Sequence, residues 1–221
     1  MSLKAGLALR FCVGIAVFGV LLFLPAGSFR FWQGWAYLAV CTVSAMCAFA
    51  YFYKHDPELI RRRSRFKEKV PGQKRIVALV YVASLVAFVL PGLDHRYGWS
   101  RLPWWATIFS QAAILAGYVM MFWVGKVNPF AGRTIQVEPG QPVISTGPYH
   151  LVRHPMYLGI VAIWMFTPLA LGSYVTVPAF LLLIPLLVLR LLNEEKVLSQ
   201  ELPGYSEYCL RTPYHLVPLV W

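Results

Sequence analysis

A chain of 221 residues, 58% of them hydrophobic and only 13% charged, is not built like an ordinary soluble domain. A formal charge of +11 suggests nucleic acid at first, but the basic residues crowd into one connection between apolar windows, a membrane-topology pattern. Four cysteines without CxxC spacing argue against a disulfide framework or a zinc site.

In chain order the sequence predicts an all-α polytopic membrane bundle of about six segments: Leu7–Leu24, Trp32–Tyr53, Ile76–Leu93, Trp104–Val124, Tyr157–Leu171 and Tyr174–Leu192. Lys4 and Arg10 at the first window imitate a secretory signal. No small-residue cleavage site follows, and Phe29, Phe31, Trp32 and Trp35 fit an interfacial aromatic belt, so the segment is read as a retained span. Between the second and third windows lie Lys54, Arg61, Arg62, Arg63, Arg65, Lys67, Lys69, Lys74 and Arg75. Such an excess marks a cytoplasmic loop, which places both termini and the site on the cytoplasmic side. The run reads as a topology signal, with a grip on anionic lipid headgroups as a further role. The fifth window is short and meets the sixth across Gly172 and Ser173, as a tight hairpin would; a re-entrant hairpin is the other reading.

The chain divides in function. Residues 1–125 are N-terminal transmembrane helices poor in reactive groups, whereas 126–221 hold a long loop, the helical hairpin and a cytoplasmic tail. Asn128-Pro129, Pro139-Gly140 and Gly147-Pro148 punctuate the loop with turns, and 134–137 and 142–144 read as short extended pieces. A structureless loop of this length is usually functional or disordered; its apolar residues argue against disorder, so it is read as folded over the cytoplasmic mouth of the bundle.

Two clusters carry chemistry. Gly147-Pro148-Tyr149 leads to Arg153-His154-Pro155-Met156-Tyr157, where two groups that can carry charge sit at the mouth of a span, with Pro155 suited to a first helical turn. Arg190, Asn193, Glu194, Glu195 and Lys196 close the last window; Arg190 and Glu194, four apart, share a helical face. An acidic pair at a helix C-terminus opposes the macrodipole, so another cation should compensate. The five histidines are too few and too scattered for a metal site. No G-x-G-x-x-G, P-loop or G-x-S-x-G occurs.

Together with Glu194-Glu195-x-x-Leu198, Gly204-Tyr205-x-x-Tyr208 and Thr212-Pro213, these motifs resemble the isoprenylcysteine carboxyl methyltransferase family, related to membrane phospholipid methyltransferases. The resemblance covers about 126–215. It implies S-adenosyl-L-methionine as cofactor, in a cytoplasmic pocket lined by Val143, Ile144, Gly147, Tyr149, Arg153, His154, Pro155, Met156 and Tyr157. Glu194 would hold the cofactor's amino group and Arg190 the acceptor's carboxylate. Arg133 and Gln141 fall where the pattern matches poorly. The implied partners are a lipophilic or lipid acceptor and membrane lipids, with no nucleic acid and no metal.

Residue chemistry points the same way. A sulfonium and an ammonium need anionic and aromatic partners, which Glu194, Tyr149 and Tyr157 offer. Methyl transfer to a carboxylate needs alignment in a dry site rather than a base; an amine acceptor would need one, and His154 is the nearest candidate. An NADPH-dependent membrane reductase of the sterol-reductase type is the alternative, expected to bring extra basic residues for the 2′-phosphate. A non-enzymatic transporter subunit would leave the clustered Arg153, His154 and Glu194 without a role.

Overall fold

The computed structural model describes residues 3–65 and 72–221, with side chains from residue 9 onward. Lys67, Lys69 and the side chain of Lys4 therefore lie outside the described residues. Apolar runs with charged residues only toward their ends fold into α1 (Leu3–Ala26), α2 (Trp32–His55), α4 (Gln73–Tyr97) and α5 (Trp104–Val127). Between α2 and α4 a short α3 (Pro57–Arg63) starts where Asp56 caps Leu59 N at 3.0 Å, with Pro57 in its first turn. After the long loop come α6 (Pro155–Ala170), α7 (Val177–Leu181), α8 (Leu183–Glu201) and α9 (Tyr205–Arg211). There is no strand among the described residues; 134–137 and 142–144 run as irregular chain.

Five helical stretches are long and apolar enough to cross a membrane: Leu9–Ala26 of α1, then α2, α4, α5, and α7 with α8 as one unit, Val177–Glu201. Six segments were expected; the difference is α6, apolar but only 16 residues long. At 1.5 Å per residue it reaches about 24 Å, short of a hydrocarbon core of about 30 Å. Gly172, in the left-handed region at φ +76°, turns the chain from α6 toward α7. The helix then breaks at Leu182, because Pro185 has no N–H for the Leu181 carbonyl. α8 continues past Leu192 to Glu201. Glu194 and Glu195 are thus inside the helix, not at its C-terminus, and the expected clash with the macrodipole does not arise.

Two close crossings set the geometry. A Cβ on Gly117 of α5 would lie 2.8 Å from Ile163 and 2.9 Å from the Gly159 carbonyl of α6; one on Gly159 would lie 2.9 Å from the Gly117 carbonyl. Small residues let backbones touch where lipid gives no hydrophobic drive. A Cβ on Gly92 of α4 would likewise meet the Leu22 carbonyl of α1 at 2.5 Å. Leu22, Phe31, Ile114, Ala170, Leu171, Phe180 and Leu183 form the fully buried centre. Gly117→Ala should destabilise the bundle by about 1–3 kcal/mol, the range for overpacking. Thermal unfolding in detergent measures this; an unchanged midpoint would show that the α5–α6 contact is loose.

The two ends of the bundle differ. One exposes Phe29, Trp32, Trp35, Tyr97, Trp99, Trp104, Trp105 and Tyr174, an aromatic girdle. The other gathers α3, the 128–154 loop, the last turns of α8, and α9 with the tail.

Candidate active site

A cavity of about 930 Å³ opens under the loop and runs into the bundle. It follows one face of α4 through Ile76, Val77, Val80, Tyr81, Ser84, Leu85 and Phe88, a stripe of helical spacing. Across from it stand Ile160, Ile163 and Trp164 of α6 and Val17 and Phe18 of α1. The loop closes the polar end with Phe130, Arg133, Gln136, Gln141, Val143 and Ile144.

The polar end hangs on one carboxylate. Glu195 accepts from Arg153 Nη1 at 2.8 Å and Tyr205 OH at 2.7 Å, and contacts His154 Nε2 at 2.6 Å. Arg153 also donates to the Pro213 carbonyl at 2.9 Å and meets His215 Nδ1 at 3.1 Å. The backbone repeats the connection: Arg153 N bonds Tyr214 O, and His154 N bonds His215 O, both at 2.9 Å. Loop, α8, α9 and tail are thereby fastened together just before Pro155 starts α6. These partners are far apart in sequence, so no spacing pattern announces them.

Partial burial, then the Arg153 guanidinium, hold the His215 imidazole below its usual 6.5; Glu195 pulls weakly the other way. His215 is therefore neutral at pH 7. A depressed histidine means that the unfolded chain binds the extra proton, so stability is complete above about 6.5 and declines as pH falls below it. Thermal midpoints from pH 7.5 down to 5 should drop in the wild type and drop less in His215→Gln. Parallel curves would show that His215 does not contribute.

Glu194 points the other way, into the cavity wall. Tyr157 OH donates to its Oε2 at 2.5 Å. Arg190, one turn earlier on α8, donates from Nη2 to the Arg133 carbonyl at 2.6 Å and so braces the loop. Tyr149 accepts from Asn128 Nδ2 at 2.7 Å while its carbonyl accepts from Tyr208 OH at 2.7 Å. Burial pushes the Tyr149 hydroxyl up, and the same effect lifts Tyr208 to about 12, so both stay protonated.

Val143, Ile144, Tyr149, Arg153, His154, Pro155, Met156, Tyr157, Arg190 and Glu194 all border this one cavity, as do Arg133 and Gln141. Gly147 does not; its φ of +59° and a Cβ position 3.0 Å from Val127 make it a backbone turn residue. His154 is 5% exposed and spends Nε2 on Glu195, which makes it a strut of the polar knot. Sequence reasoning missed Arg63 and the division of labour between Glu194 and Glu195. Arg63 leaves the basic run to line the cavity, donating to the Ala131 carbonyl at 3.3 Å and reaching Met156 Sδ at 3.4 Å. Its neighbour Arg62 bonds the Pro129 carbonyl at 2.7 Å and covers the Phe130 ring. Part of the basic run therefore holds the loop down, beyond marking topology. Among the described residues no group of three or more His, Cys, Asp or Glu is placed to hold a metal ion.

The chain is similar to the cobalt-zinc-cadmium resistance protein CzcN of Cupriavidus metallidurans, 32% identical over 135 residues, covering 58% of this chain and 58% of that protein. It is also similar to the nickel-cobalt-cadmium resistance protein NccN of Alcaligenes xylosoxydans xylosoxydans, 31% identical over 116 residues, covering 50% and 52%. The chain thus spans little more than half the length of these curated relatives. A shorter likeness, 33% over 91 residues, joins it to a Delta(14)-sterol reductase of Mus musculus, covering 40% of this chain and 22% of the reductase. From α5 to the last turn of α8, residues 106–200 match the Isoprenylcysteine carboxyl methyltransferase (ICMT) family, the family that the sequence motifs resemble.

Proposed function

We propose that this protein is an integral-membrane methyltransferase that uses S-adenosylmethionine to methylate a lipophilic acceptor, with a carboxylate as the best-fitting nucleophile. One observation carries the reading: a single cavity joins an acid–arginine cluster to a lipid-like apolar face. Among its described lining residues Glu194 is the one carboxylate, against Arg63, Arg133, Arg153 and Arg190. That donor set fits a cofactor with one ammonium, one sulfonium and one carboxylate, beside an anionic acceptor. The family match at 106–200 supports the same chemistry.

When bound, S-adenosylmethionine supplies a methyl carbon whose bond to sulfur breaks as a bond to the acceptor oxygen forms, and no proton moves. Glu194, fixed by Tyr157, holds the cofactor's amino group. Tyr149 and Tyr157 offer ring faces for positive charge. Arg190 orients the acceptor's anion, and the apolar wall below it excludes water, which strengthens every charge interaction in the site. His154 acts through Glu195 by keeping the loop in place, and carboxylate methylation asks no base of it. The acceptor enters from the bilayer between α1 and α4, which touch at Gly92 and leave the cavity wall exposed nearer the loop at Val17, Tyr81 and Leu85.

We place the site and both termini in the cytoplasm, on the basic excess of the α2–α4 connection, with the short α6 returning the chain from the loop end to the aromatic end where Tyr174 N bonds Ser100 Oγ. Labelling of Arg61→Cys, in a chain whose native cysteines are replaced, should occur only from the cytoplasmic side; labelling from outside would reverse the topology. A reductase reading draws on the Delta(14)-sterol reductase likeness and on Arg63, a cation available to a 2′-phosphate. Calorimetry decides between them: S-adenosylhomocysteine should bind and NADPH should not. NADPH binding without S-adenosylhomocysteine binding would replace the methyltransferase reading.

A further inference from the structure

The cavity is longer than a cofactor needs, and its far end is not apolar throughout. From Ile76 to Phe88 along α4 it advances 12 residues, about 18 Å at 1.5 Å per residue. Over its last turn, from Ser84 at about 12 Å to Phe88 at about 18 Å, it meets Tyr37 of α2 and Tyr118 of α5. Tyr37 and Ser84 lie outside the segment that matches the family.

The hydrogen bonds there have a definite direction. Thr167 Oγ1 donates to the Ile163 carbonyl at 2.7 Å. In the 3.3 Å contact between Tyr37 OH and Thr167 Oγ1, Tyr37 is therefore the donor. Its oxygen keeps acceptor capacity. Cys41 lies between the Tyr37 and Tyr118 hydroxyls, the Tyr37 ring sits 6.0 Å from the Phe88 ring, and Ser84, one turn before Phe88 on α4, lines the same cavity. Hydroxyls at this depth in a membrane need hydrogen-bond partners, which a neighbouring helix or a ligand supplies. A plain hydrocarbon tail would be received equally well by phenylalanine and alanine.

We propose that this far end is a second recognition subsite, and that the acceptor is an elongated amphiphile bearing a hydroxyl or carbonyl group about 12–18 Å from its reacting head. The apolar stripe of α4 and Ile160, Ile163 and Trp164 of α6 hold the stretch between. Tyr37, Tyr118 and Ser84 bind the tail group by hydrogen bonds, and the Phe88 ring sets how long the chain can be. Which end reacts rests on the proposed methyltransferase reading; the existence of the tail subsite does not.

The test is ligand binding to the full chain in detergent, without cofactor, by thermal stabilisation. The probes are a homologous series of straight-chain carboxylates and their ω-hydroxy counterparts. At one chain length the ω-hydroxy acid should bind about tenfold more tightly than its parent, the fold-change of a well-made hydrogen bond. Tyr37→Phe and Tyr118→Phe should each erase most of that preference while leaving the parent acid unchanged. Ser84→Ala, a milder change on the same wall, should reduce it by a few fold. Equal affinity for both series, or a preference that survives all three substitutions, would overturn the subsite. A separate titration with S-adenosylhomocysteine tests the cofactor reading, so failure of one is distinguishable from failure of the other.

Discussion

Arg190→Ala should lower acceptor turnover by about 10²-fold, the scale on which misplaced reactants lose rate, while cofactor affinity changes far less. The arginine lies one turn closer to the apolar channel than Glu194, on the same face of α8. On the proposed reading it would meet an acceptor rising from the membrane before the cofactor's amino group is reached. Lysine at 190 should recover only part of the rate, since it keeps the charge and loses the planar fork suited to a carboxylate. Loss of the Arg190 bond to the Arg133 carbonyl should also loosen the loop, which predicts a raised KM beside the lower kcat. Full activity in the alanine variant would reduce Arg190 to a loop brace. An equal loss of S-adenosylhomocysteine binding would move it into the cofactor site.

Glu195→Ala should behave in the opposite way to any change at Glu194. Removing the Glu195 carboxylate leaves Arg153 and His154, with side chains 10% and 4% exposed, without their shared anion. Breaking a buried pair by taking out one partner costs about 3–5 kcal/mol. The variant should therefore unfold at clearly lower temperature, or accumulate poorly, before any question of catalysis arises. Glu194→Gln, by contrast, should leave the thermal midpoint nearly unchanged and weaken S-adenosylhomocysteine binding by roughly 1.5–3 kcal/mol, the range for a hydrogen bond to a charged group. If calorimetry and unfolding gave the reverse assignment, the roles of the two neighbours would have to be exchanged.

The spans were legible because lipid imposes a simple pattern: α2, α4 and α5 start and end within about four residues of the apolar windows drawn from sequence. The continuation of α8 to Glu201 was not legible, since a helix that leaves the bilayer turns polar without changing its backbone. At the site, motif residues could be gathered from the chain, and ten of them border one cavity. Gly147 could not be sorted from them, because a glycine needed for its φ looks like any other in a motif. Arg63 was hidden for a different reason. Eight neighbours of the same charge made it look like part of a topology signal, and only the fold of α3 over the loop brings it to Met156. Glu194 and Glu195 differ by about 100° around α8, which decides that one faces the cavity and the other the tail. Sequence could see the pair, but the assignment depends on partners at 153, 154 and 205 that only tertiary structure supplies.

The backbone bonds from Arg153 and His154 to Tyr214 and His215 also carry a consequence for how the protein is made. During synthesis the membrane helices and the α3 and α8 contacts to the loop are available early, yet the loop over the cavity lacks its last fastening until residue 215 has left the ribosome. Chains generally fold from the N-terminus as they emerge, so this pocket is among the last features to form. A nascent chain halted after α8 would be inserted with its polar end only partly assembled, lacking the Tyr205, Pro213, Tyr214 and His215 contacts. On the methyltransferase reading, a stop codon or a bulky fusion placed shortly before residue 213 would yield a membrane protein of normal topology that fails to bind S-adenosylhomocysteine.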